Sequence, residues 1–295
     1  MIPAHLLREL RYLEIATAKA IRNARLGPHV SRARGPGFDF DQHLAYRAGD
    51  DVRRIDWNAT ARLNTPYVRQ THAERELDVV MAVDLSPSME IGAGRYSKKE
   101  VTVLVAASLL FSATADQINT GFLTFSDRVL GWKPPRRASG RAWQVLEEIW
   151  EFEVQPLTRS TSVLAALRHM VSTLRRMSVV AIISDFVTDE NVFGSAELGV
   201  IARQHDLMAI VVEDPVDTAL PPGSGFFRVR DVESGAGMTI ALNEHTRRAY
   251  SDAIARRKRD ITSACHRLGI DLAFVRTDGP AMESVIELFA RRKSA

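Results

Sequence analysis

Apolar positions follow two rhythms along this chain. Near the start, Leu6, Leu10 and Leu13 recur at helical spacing among Arg8, Arg11, Lys19 and Arg22, which predicts a helix over 5–26 stopped by Gly27-Pro28. From residue 77 onward, short apolar runs alternate with helical patterns. Leu77–Val83 (LDVVMAV), Gly121–Phe125, Val179–Ser184, Leu207–Val212 and Asp271–Val275 predict strands. The unbroken apolar character of the first run predicts a strand covered on both faces. Helices are predicted over 98–115, 140–152, 161–176, 244–268 and 280–292, with Arg128–Trp132 as a hairpin arm. Residues 215–242, rich in Pro, Gly and alternating positions, predict a β-hairpin excursion. The alternation points to the α/β class, with a mainly parallel sheet flanked by helices and a ligand site at the carboxyl ends of its strands.

Residues 28–75 break this rhythm. Gly, Pro, Arg and Asp are frequent, so the stretch predicts loops, short strands and turns held by Phe38, Phe40, Tyr46, Ile55, Trp57 and Tyr67. The expected organisation is an N-terminal helix with an Arg/Asp-rich segment over 1–76, followed by the α/β domain over 77–295.

Composition narrows the field. The chain has 295 residues, 45% hydrophobic and 25% charged, which excludes disordered and fibrous classes. The net charge of +3 is only mildly basic. The basic runs Arg136-Arg137, Arg247-Arg248, Arg256-Arg257-Lys258-Arg259 and Arg291-Arg292-Lys293 lack interleaved aromatics, so they read as solvated helix faces, with no nucleic acid among the expected partners. The single cysteine, Cys265, excludes an internal disulfide and any cysteine-rich zinc site, and reads as a small buried group in a reducing compartment. Charges every few residues at the N-terminus do not fit a signal peptide. The longest apolar run, Val101–Ala115, falls short of the ~20 residues of a membrane span. A soluble cytoplasmic protein is expected.

Three polar clusters close predicted elements on one side. Asp84-Leu85-Ser86-Pro87-Ser88 ends the first strand, Ser160-Thr161-Ser162 opens a helix, and Ser184-Asp185-Phe186 ends the third apolar run. Carboxylates with hydroxyls are hard oxygen donors suited to Mg²⁺ or Mn²⁺ rather than zinc. Asp84, Ser86 and Ser88 are the expected direct ligands, with Thr161 direct or through water, and Asp185 holding waters from further out. A divalent ion in such a set keeps positive charge and, with an open position, attracts an anionic oxygen such as a partner's Asp or Glu. The structural alternatives are a turn role for Asp84 and helix caps for Ser86 and Ser88. No Gly-x-Ser-x-Gly elbow surrounds the serines, which argues against a nucleophile. A phosphohydrolase using Asp84 would want a second acid where Ser86 stands and a lysine at a later strand end, and none of those ends offers one. Asp50, Asp51 and Asp56 amid Arg47, Arg53, Arg54 and Arg62 read as an ion-pair network rather than a second metal or catalytic site. Gly92-Ala93-Gly94 reads as a flexible turn, not a phosphate loop.

The set Asp84-x-Ser86-x-Ser88, Thr161 and Asp185 resembles the metal-ion-dependent adhesion site of von Willebrand factor type A domains. The upstream GFDFDQHLAYRAGDDVRRIDWNATAR resembles the signature of the bacterial domain-of-unknown-function family fifty-eight, in which a type A-like domain follows such a stretch. Type A domains often carry Gly-Thr-Asp and Thr-Asp-Gly where this chain has Ser160-Thr161-Ser162 and Ser184-Asp185-Phe186. The resemblance implies a non-enzymatic, metal-dependent interaction module. Its implied partners are a MoxR-type AAA+ ATPase and a client protein bearing an acidic residue.

Overall fold

The computed structural model describes residues 2–20, 34–47, 52, 55–63, 65–72, 77–137, 141–154, 160–233 and 235–279. The chain separates into two units, one of residues 1–26 and 77–295, the other of residues 27–76. The predicted helix over 280–292 lies outside the described residues, as do Asp50, Asp51, Arg53 and Arg54.

In chain order the elements are α1 (Ala4–Ala20), β1 (Arg34–Ala45), α2 (Trp57–Leu63), β2 (Tyr67–His72), β3 (Asp78–Asp84), α3 (Lys98–Ala115), β4 (Asn119–Phe125), β5 (Val129–Arg137), α4 (Arg141–Glu151) and α5 (Val163–Thr173). There follow β6 (Ser178–Ser184), α6 (Ala196–Gln204), β7 (Asp206–Glu213), α7 (Pro215–Thr218), β8 (Gly225–Arg230), β9 (Gly237–Leu242), α8 (Glu244–Leu268) and β10 (Asp271–Arg276).

The larger unit is an α/β domain. Its six-stranded sheet has the order β10-β7-β6-β3-β4-β5, parallel throughout except for β5, which runs antiparallel to β4 at the edge. Pro134, Pro135, Arg136 and Arg137 sit on that edge strand, where proline and charge discourage further pairing. Central β3 and β6 are buried along their whole length, as their unbroken apolar runs predict. The pleat divides their side chains between two cores. Val79, Met81 and Val83 of β3 join α1, α3 and α4 on one face. Val80 and Ala82 join α5, α6 and α8 on the other.

Helix α3 is apolar nearly all round because it is covered nearly all round: the sheet lies beneath it, and α1 and α4 share its core. Leu6, Leu10 and Leu13 of α1 are buried there, spaced to form one helical stripe. The division at 76/77 stands, and helix α1, grouped in the sequence reading with the Arg/Asp-rich segment, belongs to the larger unit.

Two further expectations are amended. Helix α6 was not anticipated; it is short, and only Leu198, Gly199 and Ile201 of it are buried, so its periodicity is faint. The stretch 28–75, expected as loops and short strands, forms the long antiparallel pair β1–β2, with irregular register near Asp39 and Phe40, and helix α2. Asp56 Oδ1 accepts from the amides of Asn58 and Ala59 at 3.0 and 3.1 Å, opening α2 as a capping carboxylate does. Trp57, expected as an apolar anchor, is 70% exposed.

Candidate metal centre

Parallel register decides which side chains meet. Val83 pairs with both Thr124 of β4 and Ile183 of β6, so the next residues, Asp84 and Ser184, emerge side by side at the strand ends. From β3 the chain builds outward through β4 and β5 on one side, then crosses back to place β6, β7 and β10 on the other. That switch point is where a parallel α/β sheet opens a crevice.

Asp84 is wholly buried. Its Oδ1 accepts from the Ser86 amide at 2.9 Å, and its Oδ2 accepts from the Ser184 hydroxyl at 2.5 Å. Burial pushes its pKa up to about 7, the charge of Asp185 adds to the rise, and the bonds from Ser184 and Ser86 oppose it. Ser86 and Ser88 are also buried, with their Oγ atoms 3.1 Å apart. The alternative role of these serines as caps is not taken up. Ser86 makes no side-chain cap bond to the 3-10 turn that follows, and α3 is capped by Ser97 in a reciprocal box with Glu100.

Thr161 is buried at the head of α5, directly before the Ser162 cap. Its carbonyl accepts from Thr188 Oγ1 at 2.5 Å, tying this loop to the one after β6. Its hydroxyl donates to Glu233 Oε1 at 2.5 Å, and its amide donates to Glu233 Oε2 at 3.1 Å. Glu233, in the turn between β8 and β9, has its pKa raised by burial, with the charges of Asp185 and Asp231 adding and the Thr161 bonds opposing. Asp185 is buried at the end of β6; its Oδ1 accepts from the Val187 amide at 2.9 Å, and its carbonyl accepts from Arg257 of α8 at 2.7 Å. Phe186 follows at φ 53, the left-handed region, which matches the glycine often found at this position in the motif.

Lys98 and Glu233 are residues that the sequence reading missed. The Lys98 ammonium is buried, 2.8 Å from Asp185 Oδ2 and 2.5 Å from Asp217 Oδ2. Burial alone would depress its pKa, yet the two carboxylates hold it above the ordinary lysine value. The search for a lysine at strand ends passed over it because it enters from the first turn of α3. Glu233 was missed for a related reason: it lies 72 residues from Thr161 in a solvent-facing hairpin. No motif spacing signals either contact.

The donor set fits a hard divalent cation. The Ser86 and Ser88 hydroxyls, hydrogen-bonded to each other at 3.1 Å, are two neutral hard oxygens close enough together to serve one ion. Asp84 has no ion pair among the described residues, whereas the charge of Asp185 is already answered by Lys98. Among the described residues no group of three or more His, Cys, Asp or Glu side chains could hold a metal ion, so an ion here would have to take hydroxyl oxygens beside Asp84. The structure thus clusters Asp84, Ser86 and Ser88 directly, holds Thr161 on Glu233 and on Thr188, and holds Asp185 on Lys98.

Among the described residues, no helix is long and apolar enough to cross a membrane. The family described as "Protein of unknown function DUF58" matches residues 42–260. Uncharacterized proteins of Mycobacterium tuberculosis and Mycobacterium bovis are 29% identical to this chain over 284 residues, which is 96% of this chain and 89% of each relative. Among solved structures, the conserved hypothetical protein BatB from Bacteroides thetaiotaomicron covers 74% of this chain and 100% of its own, at 14% identity and a TM-score of 0.45. An aerotolerance-related membrane protein from Bacteroides fragilis covers 72% and 98%, at 15% identity and a TM-score of 0.44.

Proposed function

The chain belongs to the DUF58 family, and from that premise we propose that it is a non-enzymatic, metal-dependent protein-interaction module. Asp84, Ser86 and Ser88 would hold Mg²⁺ or Mn²⁺ directly, Thr161 directly or through water, and Asp185 would act from behind by fixing waters. When bound, the cation supplies a positive centre with room for an anionic oxygen from outside. The observation that carries this reading is Asp84: a wholly buried carboxylate with no cationic partner among the described residues, in the same loop as two buried hydroxyls. The protein residues do the positioning. Ser184 and the Ser86 amide orient the Asp84 carboxylate, and Lys98 neutralises Asp185 so that the rim is not over-loaded with negative charge.

The partners follow from the family resemblance and from this charge pattern. A MoxR-type AAA+ ATPase and an acidic client protein are the proposed ones, with neither nucleic acid nor a membrane span required. Calorimetric titration with Mg²⁺ and Mn²⁺ tests the site: uptake at or below millimolar concentration by the wild type and none by Asp84→Asn is expected. Co-purification of the ATPase in Mg²⁺, lost in chelator and in Asp84→Asn, tests the partner.

A second reading gains one observation. Lys98 supplies near Asp185 the buried ammonium that a phosphohydrolase with Asp84 as nucleophile would need. Against it, that ammonium is engaged by both Asp185 and Asp217, leaving it poorly placed for a phosphoryl oxygen. Mg²⁺-dependent hydrolysis of p-nitrophenyl phosphate, abolished by Asp84→Asn, would establish this reading in place of the first.

A further inference from the structure

The carboxylate of Glu233 reaches the rim from outside the strand ends. The turn that carries it is internally braced: the Glu233 amide donates to Asp231 Oδ1 at 3.0 Å, the Asp231 amide to the Ala236 carbonyl at 2.8 Å, and the Gly235 amide to the Asp231 carbonyl at 2.9 Å. From this turn both carboxylate oxygens are spent on one residue, Thr161, through its hydroxyl and its amide. Thr161 is the proposed ligand at the head of α5, so the Glu233 carboxylate is bonded directly to a residue of the proposed site.

We propose that Glu233 is the chain's own occupant of the acid position at this rim, and that the β8–β9 hairpin is an internal plug which an acidic client must displace. The inference rests on the reading of the rim as a metal-dependent acid-binding site. Two features carry it. The contact is two-pronged and involves a buried threonine, unlike a chance surface contact. And the plug can leave at little cost. Every residue of β8 is exposed, and most of β9 is, so withdrawal of the turn breaks the Thr161 contacts without opening either core.

A tethered acid competes at an effective concentration in the millimolar range. Free acidic ligands below that level are therefore excluded, and access is granted to a partner that also draws the hairpin away. The exposed Phe226 and Met238 offer such a partner its purchase.

The test uses the full chain with Mn²⁺ as probe, reading affinity by electron paramagnetic resonance and inner-sphere water by proton relaxation. Wild type, Glu233→Gln and Glu233→Ala are compared, with urea midpoints confirming that all are folded. Both variants are expected to bind Mn²⁺ about tenfold more weakly, having lost one charged ligand. Relaxation per bound ion should rise as water enters the vacated position. Added sodium acetate should then lower the relaxation in the variants but not in the wild type. Equal affinity and unchanged relaxation would overturn the role of Glu233 while leaving the metal reading standing. No Mn²⁺ uptake by any of the three would overturn both.

Discussion

Lys98 Nζ lies 2.8 Å from Asp185 Oδ2, with the two side chains only 1% and 2% exposed. A positive charge in the first turn of α3 is opposed by the helix dipole, and its burial is opposed by desolvation. Asp185 and Asp217 together offset both. The arrangement joins the start of α3 to the end of β6 and to α7, and it leaves Asp84 with no ion pair among the described residues.

Lys98→Met should therefore cost about 3–5 kcal/mol, because it strands the buried Asp185 without compensation. Urea denaturation checks this. The double variant Lys98→Met/Asp185→Asn should recover part of the loss, since the second change removes the uncompensated charge. A single-variant cost below about 1 kcal/mol, the level of a surface pair, would show that the interaction is not a buried one.

Asp84→Asn should behave differently with and without metal. In chelator, the variant loses a buried charge and keeps an oxygen to accept from the Ser86 amide, so its urea midpoint should equal or exceed that of the wild type. At Mg²⁺ a hundredfold above the dissociation constant, the wild type should gain about 2.7 kcal/mol and the variant nothing. A variant destabilised in chelator would mean that Asp84 serves the fold and not the cation.

Much of this protein is legible in its sequence. The helices over 98–115 and 244–268 stand where their periodicity places them, between Ser97 and Asp116 and between Asn243 and Gly269. The strand ends that gather Asp84 and Ser184 follow from apolar runs that only a two-sided sheet explains. What escaped is long-range and polar. Lys98 looks like any lysine opening a helix, and only the packed sheet shows that its ammonium meets Asp185 and Asp217. Glu233 sits in an exposed hairpin whose local pattern says nothing of Thr161. Hydrophobic period reports which face is buried, but not which distant charge that burial brings alongside.

His205 gives the fold a pH dependence of its own. The ring is buried after α6, and its Nδ1 accepts from the Ser178 amide at 3.3 Å. Burial lowers its pKa below the ordinary 6.5. As pH falls through about 6.5, the unfolded chain takes up a proton that the folded chain refuses, so the contribution is complete above that pH and is lost below it. His205→Asn keeps an acceptor for Ser178 and should flatten the decline of stability between about pH 6.5 and 5. Urea midpoints across that range check it; an unchanged slope would assign the acid sensitivity to other groups.

The last prediction concerns Gly94, whose segment reads in the sequence as a flexible turn. The structure gives it another reason. A Cβ at Gly94 would fall 2.6 Å from Thr277 Oγ1 and 2.7 Å from the Thr277 carbonyl carbon, closer than packed atoms approach. The loop is stitched in place around this point. The Ala93 amide donates to Asp214 Oδ2 at 3.0 Å, Thr277 Oγ1 donates to the same oxygen at 2.6 Å, and the Tyr96 amide donates to the Thr277 carbonyl at 3.1 Å. Gly94 is thus required for close backbone approach rather than for mobility, and the stitched segment leads directly into Lys98. Gly94→Ala should cost about 1–3 kcal/mol by overpacking. Gly279→Ala, whose added Cβ would meet Arg276 Cβ at an ordinary 3.7 Å, should change stability by no more than about 0.5 kcal/mol. Because the displaced loop leads into Lys98, whose ammonium answers Asp185, Gly94→Ala should also change Mn²⁺ uptake, while Gly279→Ala should not. Equal urea midpoints for the two variants would return residues 92–94 to the role of a simple turn.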